Sequence, residues 1–303
     1  MFSQDAFFSN TGQTLIYLNP SCAGTNGYIR EQSAFRVQDI NLTVPMKTGY
    51  TSLDAFIKPI NGGIAVSYLY DDQKNGQMKS NAISLVYAQH IYLYGKKIRL
   101  IPALQATYFS RSLALQDLKT IDTLDFRKND VWDTRRFIAP PTGATAKKSN
   151  LDLSASVLMQ SKNVNVGLAV FHLNQPDEGL WGASALPYRL NLHGSYAMKL
   201  IEELNLSLFA LFVSQKDFKD VLFSANFNWN NEFFIGLGAR KANALTANIG
   251  FQSETVRLGV GYDYGLNTGN PYVYGNNSIE IILSFNLKNR FSENSSFAEW
   301  KTW

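Results

Sequence analysis

The sequence predicts an all-β protein, a transmembrane antiparallel β-barrel of about fourteen strands with both termini on the periplasmic side. Three observations predict it. Apolar residues recur at every second position, the connections alternate between short and long, and large aromatic residues are abundant.

The alternation comes first. From Leu151 to Gln160 the odd positions are all apolar and most even ones are polar. Ile279, Ile281, Leu283, Phe285 and Leu287 make the same stripe, as do Val221, Phe223, Ala225, Phe227 and Trp229, and Val164, Val166, Leu168 and Val170. A helix would scatter these residues around its circumference, whereas a strand puts each set on one face. Strands are expected at 30–41, 48–59, 62–70, 79–94, 97–111, 150–160, 163–173, 189–200, 204–214, 219–229, 232–240, 243–252, 255–265 and 278–288. A short turn of helix fits between Asp5 and Leu18, ahead of Asn19-Pro20.

The connections turn strands into a membrane barrel. One set is tight: Ile60-Asn61-Gly62, Gly95-Lys96, Ser161-Lys162, Ile201-Glu202-Glu203, Asn230-Asn231 and Ser253-Glu254. The alternate set holds all the long ones, 71–78, 112–149, 174–188 and 266–277, with 42–47, 215–218 and 241–242 shorter. A soluble sandwich has no reason to sort its loops by parity. An outer-membrane barrel has tight periplasmic turns and long outer loops.

Composition is consistent with this. Of 303 residues 45% are hydrophobic, and the mean hydropathy is -0.15. Such a mild value suits a barrel, because a spanning strand needs only about 9–11 residues and alternate ones face a polar lumen. The 20 Phe, 15 Tyr and 5 Trp suit aromatic girdles at the two membrane interfaces. A net charge of +4 without a basic block excludes a nucleic-acid pattern. The single cysteine, Cys22, precludes an internal disulfide and reads as a small packing residue. No apolar run is long enough for a transmembrane helix. Met1-Phe2-Ser3-Gln4-Asp5 reads as the start of a mature exported chain, so a removed signal peptide is expected.

Catalytic and metal patterns are weak, and no cofactor, metal site or enzyme activity is expected. His90, His172 and His193 lack the spacing of a helical metal site, although His172 and His193 can approach across the 174–188 connection. A Ser-His-Asp triad assembles in space and leaves an outer-membrane hydrolase as a minor alternative, yet no Gly-x-Ser-x-Gly elbow is present. Gly236-Leu237-Gly238 and Gly259-Val260-Gly261 lie inside strands and read as close packing. Asp71-Asp72 and Asp177-Glu178 read as solvated acidic turns ahead of weak calcium ligands.

Three regions follow: an N-terminal periplasmic segment (1–29), the barrel (30–288) with its long outer loop (112–149), and a C-terminal tail (289–303). The loop is either a solvated surface or a partner-binding or lumen-closing element. Its anchors in the second reading are Arg127, Trp132, Arg135, Arg136 and Phe137, because Trp and Arg are preferred at interfaces. Phe291, Phe297, Trp300 and Trp303 give the tail the means to anchor to a membrane or partner, against a plain disordered extension. Bulky residues on the inward stripe, such as Phe209 and Leu222, are compatible with a blocked lumen.

Several stretches carry a family resemblance. Ala6-Phe7-Phe8-Ser9 and Leu15-Ile16-Tyr17-Leu18-Asn19-Pro20-Ser21-Cys22-Ala23-Gly24 resemble the N-terminal signature of the PorP/SprF family of type IX secretion membrane proteins. Gly167 to Pro176, which includes His172 and Gln175, resembles its centre, as does Leu186 to Gly194. Gly261-Tyr262-Asp263-Tyr264 and Ser278-Ile279-Glu280-Ile281 resemble its closing strands. Cys22 stands where the family more often has an aromatic residue. The resemblance gives Tyr17, Leu18, Asn19, Pro20, Gly24, His172, Gln175 and Pro176 structural roles, and it supplies no catalytic residues.

It also implies a fourteen-stranded barrel in the outer membrane of a Gram-negative bacterium, in contact with outer-membrane lipid. The expected partners are translocon components and a secreted surface protein, adhesin-like, with a C-terminal secretion domain. The function so implied is to bind, deliver or anchor that protein. The alternative is a channel for small or hydrophobic solutes.

Overall fold

The computed structural model describes residues 5–287 except 11, 13, 42–43, 74–75, 96, 115–123, 126–129, 132–144, 181–182, 242–243 and 267–276. Fourteen strands run through it: β1 (Ile29–Gln38), β2 (Met46–Ile57), β3 (Gly62–Gln73), β4 (Met78–Gln89), β5 (Ile98–Ala114), β6 (Thr145–Ser161), β7 (Val164–Phe171), β8 (Arg189–Lys199), β9 (Leu204–Gln215), β10 (Phe218–Trp229), β11 (Phe233–Arg240), β12 (Ala244–Gln252), β13 (Val256–Gly265) and β14 (Ser278–Leu287). After His90 the short strand Ile91–Leu93 pairs with the base of β5.

Each strand is antiparallel to the next, and β1 pairs with β14 from Ile29↔Leu287 to Gln38↔Ser278. The sheet is therefore a closed barrel with no free edge, the form in which a sheet satisfies its backbone in a membrane. No helix among the described residues is long and apolar enough to cross one.

The period-two pattern sorts the side chains. Leu104, Leu151, Phe223 and Ile249 are exposed on the outer surface, while their sequence neighbours Ala103, Asp152, Leu222 and Asn248 face inward. One rim carries the short turns and the other the long connections. β5 and β6 pair as far as Ala114↔Thr145. At 17 residues each they exceed the roughly 9–11 a membrane needs, so the ladder continues beyond the long-loop rim. Part of the loop expected over 112–149 is thus strand.

One departure concerns the N-terminal region. Residues 1–29 were expected as a periplasmic segment, yet the described residues between 5 and 27 run through the barrel interior. The sheet does begin and end at the short-turn rim. Upstream of β1, however, the chain threads back through the lumen, and Asp5 reaches His172 at the long-loop end. The physical cause is that this stretch carries apolar side chains that need burial, and the inner wall of the barrel presents apolar clusters that cover them.

Candidate functional site: a lumen filled by the N-terminal strap

The strap, residues 5–27, contains a single helical turn, α1 (Leu15–Leu18), followed by a 3-10 turn over Pro20–Cys22. Asn19 caps that turn, its Oδ1 accepting from the Ser21 N–H at 2.9 Å, and Pro20 sits where its missing N–H costs nothing.

Three apolar contacts hold the strap. Leu15, Ile16, Cys22 and Ala23 pack on Ala65, Val86, Ala88, Ile101, Ala103 and Leu158. Leu18 and Phe7 pack on Phe209, Leu211, Val213, Leu222 and Phe218. Phe8 and Tyr17 pack on Ala34, Tyr50 and Leu69. Each large side chain so buried contributes about 2 kcal/mol. Phe209 and Leu222, the bulk on the inward stripe, are therefore the seat of the strap. Cys22 is buried in the first cluster as a packing residue.

Polar contacts set its register. Near the long-loop rim, His172 bridges Asp5 through Nε2 at 2.8 Å and Asp152 through Nδ1 at 2.9 Å. Arg189 adds an ion pair to Asp5 at 2.9 Å, donates to the Tyr17 hydroxyl at 3.1 Å and lies over the Phe171 ring. Burial opposes a charge on His172, but the Asp5 and Asp152 carboxylates outweigh it and push its pKa up to about 9. For Asp5, burial likewise opposes ionisation, and His172 with Arg189 reverses it, leaving the carboxyl well below its usual range.

A second cluster lies across the lumen. Arg36 pairs with Asp263 at 2.6 Å and Glu280 at 3.1 Å, and Ser9 and Asn10 donate their backbone N–H groups to Glu280. Midway, Asn19 Nδ2 donates to His193 Nε2 at 3.0 Å, and Asn191 donates to the Leu18 carbonyl at 2.9 Å.

At the short-turn rim Gly24, with φ +70°, donates its N–H to Asp54, which also pairs with Arg30 at 2.9 Å. A Cβ on Gly63 would lie 2.0 Å from the Ala23 carbonyl oxygen, so only glycine lets the backbones cross there.

The family-motif residues are thereby located. Tyr17, Leu18, Asn19, Pro20 and Gly24 belong to the strap. His172, at φ +63°, is its main anchor, and Gln175, at φ +42°, and Pro176 shape the loop behind it. That loop is tied down by Arg111–Glu178 and Lys148–Asp177 pairs, so the Asp177-Glu178 turn is neutralised by cations of the chain. Asp71 and Asp72 are likewise engaged, by Thr48 at 2.6 Å and the Gly76 N–H at 2.5 Å. His172 and His193 each meet the strap instead of each other. No group of three metal-ligating residues comes together among the described residues.

Arg127, Trp132, Arg135, Arg136 and Phe137, and the tail 289–303, lie outside the described residues. Sequence reading missed Asp5, Arg36, Asp152, Arg189, Asp263 and Glu280. The available signal was charge of both signs on inward stripes, which an open aqueous pore does not require to balance.

The family described as type IX secretion system membrane protein PorP/SprF matches residues 1–285. The chain belongs to the PorP/SprF family. A comparison with curated proteins finds no significant match.

Among solved structures, this PorP/SprF barrel is similar to the Pseudomonas putida toluene transporter TodX, at 8% identity and a TM-score of 0.51, over 95% of this chain and 99% of that one. It also matches the Acinetobacter baumannii outer membrane protein Omp33, at 10% identity and a TM-score of 0.48, over 87% and 100% of the two chains. At such identities the TodX likeness speaks for the outer-membrane barrel fold alone. The PorP/SprF assignment rests on the sequence.

Proposed function

We propose that this PorP/SprF barrel sits in the outer membrane of a Gram-negative bacterium and binds a secreted cell-surface protein through that protein's C-terminal secretion domain, delivering it to the surface or anchoring it there. The strap carries this reading. Among the described residues, strap side chains pack on the inner wall from the His172 cluster to the Gly24–Gly63 crossing, which supports a lumen obstructed to solutes. A barrel closed in this way serves as a membrane-held platform, and its outer loops are the surface a secreted protein meets. Arg127, Trp132, Arg135, Arg136 and Phe137 are the proposed contacts.

The experiment is purification of the tagged full-length protein from detergent-extracted native outer membranes, with identification of what remains bound. Recovery of a large surface protein carrying a C-terminal secretion domain supports the proposal. Consistent recovery of the barrel alone, under conditions that preserve other outer-membrane complexes, overturns it. The channel alternative draws on the likeness to TodX, whose name describes a toluene transporter. Here, the cavity beneath α1 is lined mostly by amides and hydroxyls, a poor route for apolar solutes.

A further inference from the structure

Beneath α1 lies a cavity of about 380 Å³, within the usual range of ligand pockets. Leu15 of the strap lines it at one end, and Asn231 and Ser253, both in short turns, line it at the other. Four of its lining side chains are uncommitted among the described residues. The amide oxygens of Gln32 on β1 and Asn228 on β10 are buried without a hydrogen-bond partner. The Ser207 hydroxyl on β9 and the Gln252 amide on β12 make no side-chain hydrogen bond either. Buried polar groups are normally paired, so this wall has hydrogen-bonding capacity to spare for a bound molecule.

The spare capacity is neutral. No carboxylate is among the described lining residues, and both lining cations are committed within the chain. Arg30 pairs with Asp54 at 2.9 Å, and the contacts of Arg257 include the Phe234 ring. What remains both donates and accepts, an amide through adjacent atoms and a hydroxyl through one. The uncommitted groups also come from β1, β9, β10 and β12, so they lie around the wall and not along one strand.

We propose that this vestibule binds a neutral saccharide, reaching it from the short-turn side. A sugar hydroxyl donates to an amide oxygen and accepts from an amide N–H, the pairing that Gln32, Asn228 and Gln252 leave open. Hydroxyls radiate from a sugar ring, so one ring meets groups on several strands at once. An extended peptide instead sets its N–H and C=O groups in rows, which suit partners spaced along one strand. A charged ligand would lose its hydration here without an uncommitted counter-charge to meet it. This site is separate from the outer loops proposed to bind secreted cargo, so it stands or falls independently of that reading.

The test uses the full-length protein purified in a detergent without a sugar headgroup. Maltotriose, cellotriose and triacetylchitotriose are titrated by calorimetry, with acetyl-triglycine amide as a neutral peptide control. At least one sugar is expected to bind saturably and about tenfold more tightly than the peptide. Asn228→Leu and Gln32→Met, which keep the side-chain size and remove the amide, are each expected to weaken binding about threefold to tenfold, the loss of one neutral hydrogen bond. Ser207→Trp, which fills the cavity from β9, is expected to abolish it. Absence of binding by all three sugars overturns the proposal, as does peptide binding of equal strength or binding untouched by all three substitutions. Should a variant fail to fold, shown by its melting curve, the sugar against peptide comparison on the wild type decides alone. Competition by a soluble polymer of the preferred sugar identifies a polysaccharide chain as the source, and its failure identifies a free sugar, each in agreement with the proposal.

Discussion

Asp5 and His172, 167 residues apart in the chain, stand 2.8 Å from each other at the long-loop end of the lumen, and His172 passes the contact on to Asp152 at 2.9 Å. The pair fastens the free end of the strap to the barrel wall. Its strength depends on pH in a direction that follows from the shifts. A raised histidine pKa stabilises fully below the unfolded value of about 6.5 and loses that contribution as pH rises through about 9. The depressed Asp5 carboxyl adds stability above its ordinary range near 3.9 and loses it only in strong acid. The strap is therefore expected to hold most firmly below about pH 6.5 and to loosen progressively between about pH 6.5 and 9. Melting curves in detergent across that window should show the drop, and His172→Gln should flatten it. A pH-independent wild type would contradict the latch.

Gly167 makes room for the middle of the strap. A Cβ there would lie 2.2 Å from His193 Nε2 and 2.5 Å from Asn19 Nδ2, so Gly167→Ala must push the two apart. The expected cost is about 2–3 kcal/mol, the range for overpacking combined with an unpaired buried amide. Hydrogen exchange over residues 14–25 should accelerate while the β10–β13 ladder stays protected.

Removal of the strap tests the closure of the lumen. Full-length protein in planar bilayers is expected to be electrically silent. A deletion of residues 1–27 is expected to give conductance steps, because the apolar seat at Phe209 and Leu222 then faces water and the path past it is unoccupied. Steps from the full-length protein would revive the channel reading.

Trp132→Ala combined with Arg135→Ala and Arg136→Ala should reduce co-purification of the surface protein at least about tenfold, since a single Trp or Arg anchor is worth about 2 kcal/mol or more. The barrel's melting temperature should not change. Equal loss of both would point to misfolding instead of a lost contact.

Alternation along each strand is a local property, and so is the length of each turn. Together they determined the barrel, the strand number and the two kinds of rim, because a strand's inward and outward faces are fixed by residue parity wherever they end up in space. The ends of β1 and β14 were predictable to within a few residues on that basis. The path of residues 5–27 was not. Its residues have no period to read, and their partners, Asp152, His172, Arg189, Arg36 and Glu280, come from strands that only barrel closure brings to one lumen. Sequence could show Tyr17, Asn19, Gly24 and His172 as a motif, but a motif does not say that its two halves touch. Tertiary structure decided that they do, because an apolar strap is stable inside a polar lumen only where its own polar groups meet inward-facing partners, as Asp5 meets His172 and Arg189 and the Ser9 N–H meets Glu280.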